Sequence, residues 1–368
     1  MDESFHVLDP EGDVLLILQS PDEEFAAWSE AAEAEKCTLG KDSEMQGNEK
    51  WLTNGTFDEQ NYNEPGEEPE PNPSNPKEKS PETQETSGQG GVRLQVSSKH
   101  LRLASPLFRR MFSCGLQEAV KLQSGECVEI RMETWDADVV LILMNAIHGK
   151  IRNVPRTVSL ETLAKIAVLV DYYECHEVVE LCSEKWIDHL ERNAPRSYSR
   201  DLMLWLCISW VFKTAYGFQA ATRVAMEQSR GSILSLGLPI PPRVLAQLNQ
   251  RREEALGGMI TSLHELLKSF RESPGPCSFE CSSMLLGALT KGMHARNLLD
   301  PQPVAPFTGH NITETVDSIS KIPSPRWYNE DPSRYNSRPH KYGLEQHIEP
   351  ITKNFRYGMK GLHLSDID

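Results

Sequence analysis

The sequence lacks an apolar run long enough to cross a bilayer. The longest such run, Leu202 to Phe212, is interrupted only by Ser209 and has about half of the roughly 20 residues that a membrane helix needs. The first residues, MDESFHVLDPEGD, are acidic and are not followed by the apolar core of a secretory signal. We therefore expect an intracellular protein, of the nucleus or the cytoplasm, whose eight cysteines are thiols in a reducing compartment.

The short motifs that carry common catalytic chemistry are also absent. The sequence has no GxxxxGKS or GxxxxGKT phosphate loop, no GxGxxG after a predicted strand, no HExxH and no GxSxG. These absences leave no residues from which to build an active site. We therefore expect no catalytic residue and no cofactor.

Closely spaced pairs of metal ligands are missing as well. The best candidates, Cys175, His176, Cys182 and His189, are spread along one predicted helical stretch, whereas zinc sites are usually built from CxxC or HxxxH pairs. Cys277 and Cys281 are separated by three residues, and no second pair lies nearby in sequence. We interpret these residues as ordinary thiols and histidines and expect no metal.

A large excess of basic residues is not present either. The chain has 53 acidic and 38 basic residues, which gives a formal net charge of −15. Residues 1–90 carry 23 acidic and 5 basic residues, whereas residues 91–368 carry 30 and 33. The acidity belongs to one end of the chain, and the remainder is close to neutral, which argues against a strongly basic nucleic-acid binder.

Residues 22–90 have the composition of a disordered insert. From Asn54 to Gly91 the chain is almost entirely Glu, Pro, Asn, Ser, Gln and Gly, which bury too little apolar surface to offset their ordering entropy. The first part, Asp22 to Lys36, is rich in Ala and Glu and is compatible with one short helix. We interpret the insert as a solvated spacer. The alternative is that it shields a sheet edge or engages a basic partner surface.

The residues on both sides of the insert, 1–21 and 91–192, predict one compact α+β unit. Val14–Leu18 has the length and composition of a strand, and Val92, Leu94 and Val96 alternate with polar residues. The other predicted elements are a helix capped by Ser105 with Pro106 at its first position, a strand over Val128–Ile130, and helices over Asp136–His148, Leu160–Val170 and Glu177–Leu190.

Residues 199–299 predict a helical region. Residues 199–226 are apolar enough for two buried helices, Val244–Phe270 has the pattern of a long amphipathic helix, and one more helix fits Cys281–Leu299. Residues 300–368 contain eight prolines and no periodic apolar pattern, so we expect a flexible, irregular tail.

The tail interleaves aromatic and basic residues, as in Arg326-Trp327-Tyr328 and Phe355-Arg356-Tyr357. Such a pattern is able to stack on single-stranded nucleic acid. Residues 301–368, however, contain eight basic and eight acidic residues, so the long-range attraction to phosphate is missing. We favour a segment that docks on its own domain or on a protein partner.

The order and spacing of these elements resemble the BTB/POZ domain, and within it the divergent group common in fungal proteins. The strand that opens with Asp13-Val14 and the helix text Leu101-Arg102-Leu103-Ala104-Ser105-Pro106-Leu107-Phe108 carry the resemblance, together with Ala137 to Lys150. Two positions depart from the family pattern. Ser97 stands where a histidine is often found, and about seventy residues replace the short turn between the first two strands.

The resemblance implies a non-enzymatic protein-interaction module. The first expected partner is a second copy of the chain, because the family often pairs this way and because Val14–Leu18 can serve as an edge strand. The partner-binding residues that we expect are Asp13, Phe108, Phe112, Leu116 and Glu118.

Two alternatives remain open. Leu116-Gln117-Glu118 resembles the apolar-x-Glu pattern with which some BTB domains bind cullin scaffolds of ubiquitin ligases, which would make the chain a substrate adaptor. The other alternative is an enzyme of unrecognised type in the helical region. A pocket with convergent polar groups and shifted pKa values would favour it.

Overall fold

The computed structural model describes residues 4–19, 24–28, 91–113, 117–132, 134–272, 278–326, 328–329, 338–339 and 343–367. Of the predicted insert, only residues 24–28 are among them, and these form a turn without helix; the expectation of disorder over the rest lies outside the described residues. The chain separates into two compact units. Of the described residues, 4–19 and 91–154 belong to the first unit, and 24–28 and 155–367 belong to the second.

The first unit is built on a four-stranded sheet with the order β1-β3-β2-β4. Strands β2 and β3 are antiparallel, whereas β1 runs parallel to β3 and β4 runs parallel to β2. The strands are β1 Ser4–Val7, β2 Val14–Leu18, β3 Val92–Val96 and β4 Val128–Met132. Its helices are α1 Ser98–Ala104, α2 Pro106–Met111, α3 Gln117–Ser124 and α4 Ala137–Ile147, followed by a 3-10 turn over Ile151–Asn153.

The apolar pattern of β2 sets the register of the sheet. Val14, Leu16 and Leu18 are at most 1% exposed, and they alternate with half-buried residues. A shift of one residue would exchange the two faces, so burial alone fixes this pairing across the long insertion. Val14 lies opposite Val96, and Leu18 lies opposite Val92.

The prediction that β2 serves as an edge strand is wrong. Strand β2 pairs with β3 on one side and with β4 on the other, so its main-chain groups are used within the sheet. The outer strands are β1 and β4. Strand β1 was not predicted, although Phe5 and Val7 alternate with polar residues over its length.

The predicted Ser105 cap of α2 is confirmed, and Asp136 caps α4 although it was predicted only as part of that helix. The Ser105 hydroxyl accepts a hydrogen bond from the Phe108 N–H at 3.1 Å, with Pro106 at the first helical position. The Asp136 carboxylate accepts from the N–H groups of Asp138 and Val139 at the start of α4. These side chains satisfy N–H groups that the first turn of a helix leaves without partners.

The second unit is helical. Its helices are α5 Leu160–Tyr173, α6 His176–Glu191, α7 Arg200–Val211, α8 Ala215–Gln228, α9 Pro242–Glu272, α10 Phe279–His294, α11 Ile312–Ser320 and α12 Glu345–Gly358. A 3-10 turn follows over Leu364–Asp366, and residues Tyr328–Asn329 pair with Arg338–Pro339. Helix α7 is buried on every side, as its nearly unbroken apolar sequence predicts. No helix within the described ranges is both long and apolar enough to span a membrane.

The prediction of an irregular tail over residues 300–368 is wrong for α11 and α12. Ile312, Val316 and Ile319 recur at helical spacing and are at most 4% exposed. Helices α9 to α12 share one apolar core, and Phe355 of α12 packs against it. For Phe355, the predicted docking of tail aromatics on the chain's own domain is confirmed.

Candidate interaction surfaces

Asp13, an expected partner-binding residue, is engaged inside the first unit. Its carboxylate accepts hydrogen bonds from the N–H and the hydroxyl of Ser98, both at 2.7 Å, at the start of α1. Its carbonyl oxygen accepts from the N–H of Val128 at 2.9 Å. A carboxylate at a helix N-terminus is stabilised by the N–H groups and the helix dipole. Asp13 therefore holds β2, α1 and β4 together.

Phe108 and Phe112 lie in the core of the first unit. The two side chains are 1% and 3% exposed, and their rings are stacked with centroids 5.9 Å apart and an interplanar angle of 11°. They are spaced by four residues, which places both rings on one face of the helical segment. Neither ring is at the surface, so any effect on a partner is transmitted through the position of α2.

The third expected group lies at the start of α3. Leu116 is outside the described residues, whereas Glu118 lies half-exposed in the first turn of the helix. Val120, two positions later, is 57% exposed. An ionisable side chain and a nearby apolar side chain are thus open to solvent on this short helix.

Strand β1 provides a surface that sequence reasoning missed. Phe5 and Val7 are 55% and 44% exposed, which is unusual for large apolar side chains on a sheet. The N–H of Leu8 points to β3 and donates to the Gln95 carbonyl, whereas the Val7 carbonyl points away from the sheet and accepts from Lys150 Nζ at 3.1 Å. The outer side of β1 is therefore an apolar edge that a lysine covers in part.

His148 occupies the neighbourhood of Ser97, the position where the family often has a histidine. Its Nε2 accepts the Ser97 N–H at 3.0 Å, and its Nδ1 lies 2.8 Å from the Met144 carbonyl oxygen. A neutral ring with its proton on Nδ1 satisfies both contacts. Burial lowers the pKa of His148. The hydrogen bond with the Met144 carbonyl raises this pKa, and the nearby His100 ring, 4.9 Å away between centroids, lowers it.

We predict that His148 makes the fold less stable in mild acid. Because the folded-state pKa lies below the unfolded value near 6.5, protonation favours the unfolded chain. The stability is fully present above pH 6.5 and falls as the pH drops toward the folded-state pKa. The expected loss is roughly half a kcal/mol, since solvent screens a half-buried group. Urea unfolding of the wild type and of His148→Gln at several pH values measures it. Identical pH dependence of the two proteins would contradict the prediction.

Cys175 and Cys207 do not have the character of reactive thiols. Burial raises the pKa of Cys175 to about 12, and burial also raises the pKa of Cys207. A raised pKa leaves little thiolate, which is the form that attacks substrates and binds metals. Cys175 precedes α6, whereas His189 lies 14 residues later on the same helix, about 20 Å away at 1.5 Å per residue. Among the described residues, no three His, Cys, Asp or Glu side chains cluster closely enough to hold a metal.

The helical unit has a surface hollow of about 590 Å³ between α10 and α11, lined by residues that include Arg296, Glu314 and Lys321. Glu314 accepts two hydrogen bonds from Arg230, at 2.7 and 2.9 Å, and these lower its pKa. A carboxylate held ionised by an arginine at the surface is an ion pair and is poorly suited to general acid catalysis. The core shared by α9 to α12 is apolar.

Comparison with protein families gives one assignment. Residues 87–190 match the model of the BTB/POZ domain, a span that begins just before β3 and ends within α6. A comparison with curated proteins found no match. The matched span contains the antiparallel partner of β2, helices α1 to α5 and strand β4; helices α1 and α3 were not among the predicted elements. The chain therefore contains a BTB/POZ domain over residues 87–190, a type of domain that mediates protein–protein interactions and is not typically catalytic.

Proposed function

We propose that this chain is an intracellular interaction protein that pairs with a second copy of itself through its BTB/POZ domain. The observation that carries the proposal is the outer side of β1. It combines exposed Phe5 and Val7 side chains with a main-chain edge that faces away from β3. An exposed apolar edge strand is a ready template for pairing with another strand.

The edge also has features that make pairing selective. Lys150 covers the Val7 carbonyl, so a partner strand must displace one exposed lysine contact before it pairs there. An exposed lysine contact of this kind contributes little to stability, and its loss is readily offset by burial of two apolar side chains. In a symmetric dimer the same edge serves both copies, which doubles the buried area.

We predict that Phe5→Lys disrupts the dimer. The full chain is expected to sediment at twice its 41.5 kDa mass at micromolar concentration. Lysine at position 5 would place a charge in the paired edge and raise the dissociation constant about tenfold or more. The matched control is Leu181→Lys on α6, which changes another strongly exposed apolar residue. A wild-type chain that sediments as a monomer would exclude this dimer.

A second candidate is a substrate adaptor that binds a cullin scaffold. It is favoured by Glu118, which lies half-exposed in the first turn of α3 and directly follows Leu116-Gln117. In this reading Phe108 and Phe112 anchor α2, and Asp13 anchors α1, so that the two helices before α3 are held in place.

We predict that the wild-type chain captures a cullin scaffold and that Leu116→Ala combined with Glu118→Ala abolishes this capture and leaves thermal stability unchanged. Together the two substitutions remove the apolar-x-Glu pattern and leave Phe108 and Phe112 unchanged. Gln117→Ala, which changes the exposed residue between them, is the control and should retain binding. Pulldown with purified scaffold is the measurement. If the wild-type chain captures no scaffold, the adaptor reading is wrong.

A further inference from the structure

Residues 25–28, at the start of the acidic insert, are held by their main chain on the second unit. The Arg200 guanidinium donates to the carbonyl oxygens of Phe25 and Ala26, at 2.7 and 3.1 Å. Its third contact is with the Glu161 carboxylate at 3.1 Å, and Lys165 lies 3.2 Å from the same carboxylate. Two consecutive carbonyls are thus clamped by one arginine whose orientation is fixed by a second residue.

The side chains of this segment supply the rest of the contact. Ala26 is only 3% exposed and has a φ of 49°. Phe25 lies beneath Lys165 Nζ, 5.7 Å from the ring centroid, and Trp28 meets Tyr198 edge-on at 5.4 Å. A left-handed alanine is strained, so this turn depends on the surface that it contacts.

The surface has the properties of a peptide-binding groove. We define the α5–α7 groove by Glu161 and Lys165 of α5, Arg200 of α7, and Tyr198, which precedes α7. It grips main-chain carbonyls, which any peptide has, and it accepts two aromatic rings three positions apart, which few peptides have. This division between main-chain affinity and side-chain specificity is the usual logic of peptide recognition.

Charge complements this geometry. The groove presents two cations, Lys165 and Arg200, which share one carboxylate, Glu161, so its named residues carry a net charge of +1. The sequence around the segment is acidic: Asp22, Glu23 and Glu24 precede Phe25, and Glu30, Glu33 and Glu35 follow Trp28. Opposite charges on a ligand and its site raise the rate of association and disfavour basic ligands.

We propose that the α5–α7 groove is a docking site for an acidic partner peptide with two aromatic residues three positions apart, and that Phe25–Trp28 is its tethered internal occupant. Phe25–Trp28 is part of the same chain as the groove, so the internal segment competes at a high effective concentration. A partner must outcompete it, which makes the site selective for tight or abundant ligands. This proposal concerns a different surface from β1 and does not depend on dimer formation.

The test uses a fluorescein-labelled peptide of residues 21–36 added to the full chain, with binding followed by fluorescence anisotropy. The wild type is expected to bind weakly, because its own segment fills the groove. Phe25→Ala combined with Trp28→Ala weakens the internal occupant. The dissociation constant for the added peptide should then fall at least tenfold, because a tethered segment competes at a millimolar effective concentration. Adding Arg200→Met to this variant should abolish the gain in affinity for the added peptide.

Three further measurements make the result decisive. Arg223→Met changes an exposed arginine of α8 and should leave the gain intact. Trp28→Ala alone is the milder variant if the double variant does not fold, and it should show a smaller gain of the same sign. A scrambled peptide should not bind. Equal binding of the peptide by the wild type and the weakened variants would overturn the proposal. Formation of a mixed dimer of wild-type and weakened chains without peptide binding would also overturn it, because the occupant of the groove would then be a second copy of the chain.

Discussion

Arg252→Met is expected to lower the free energy of unfolding by about 3 to 5 kcal/mol, the largest loss that we predict for one side chain. Arg252 is completely buried in α9, and its guanidinium donates to four main-chain carbonyl oxygens at 2.6 to 3.2 Å. The acceptors are the carbonyls of Ser229, Pro306, Phe307 and His310.

The size of the effect follows from what the substitution leaves behind. Methionine fills much of the volume but donates no hydrogen bond, so four carbonyls lose this donor, and the contacts to Ser229 and Phe307 are buried from water. The residues around position 307 connect α10 to α11, and Arg252 adds four hydrogen bonds to the contacts that tie this connection to α9 and to the end of α8. Loss of the arginine is expected to loosen that connection before the rest of the unit.

The neighbouring residue provides the control. Arg251 is exposed, so Arg251→Met removes the same charge from the same helix and should change stability by no more than about 0.5 kcal/mol. Urea unfolding monitored by tryptophan fluorescence measures both variants. A loss of less than about 1 kcal/mol for Arg252→Met would show that the four contacts are not important for stability.

Gly361→Val is expected to detach the C-terminal segment from α8. A Cβ atom at position 361 would overlap the carbonyl oxygen of Gln219, which is main chain and cannot rotate away. The neighbouring Leu362 is fully buried, and its N–H donates to the Thr222 hydroxyl at 2.9 Å. Displacement exposes Leu362 and Ile367 to water and should cost about 2 to 4 kcal/mol.

The measurement is hydrogen exchange of the Leu362 amide, which should lose its protection in Gly361→Val while α9 keeps its own. Gly287→Ala is the matched control. A Cβ atom at position 287 of α10 meets no atom within 4 Å, and alanine favours a helix over glycine by up to about 1 kcal/mol. This control should be neutral or slightly stabilising. Retained protection at Leu362 in the valine variant would refute the prediction.

The sequence predicts the local elements of the BTB/POZ domain well because they depend on local signals. Ser105 caps the helix that it was expected to cap, a helix follows Asp136 as predicted, and the alternation of Val92, Leu94 and Val96 yields a strand. These features need only the preferences of neighbouring residues and the period of the apolar positions.

Features that depend on distant partners were not predicted. The interior position of β2 is decided by β4, more than a hundred residues later, and nothing in Val14–Leu18 itself distinguishes an interior strand from an edge. The helical spacing of Ile312, Val316 and Ile319 was present in the tail, but the surrounding prolines outweighed it. Its stability comes from packing on α9, which a local pattern does not report.

The candidate surfaces show the same division. Asp13 and Phe108 were singled out by their place in the family pattern, yet the structure uses them to build the fold. The clamp of Arg200 on Phe25 and Ala26 joins residues about 175 positions apart in sequence, and an arginine at the first position of a helix gives no sign of its acceptors. Side-chain contacts between residues so far apart in sequence leave no local pattern from which to predict them.

The interior position of β2 also affects how the protein is made. Seventy-three residues separate Leu18 from Val92, so at about 5 to 20 residues per second a ribosome makes β2 roughly 4 to 15 s before its antiparallel partner. Strand β4 arrives later still. During that interval an apolar pentapeptide with two unpaired edges is outside the exit tunnel or near it, and such segments aggregate readily. The nascent chain is therefore expected to depend on chaperone binding at Val14–Leu18.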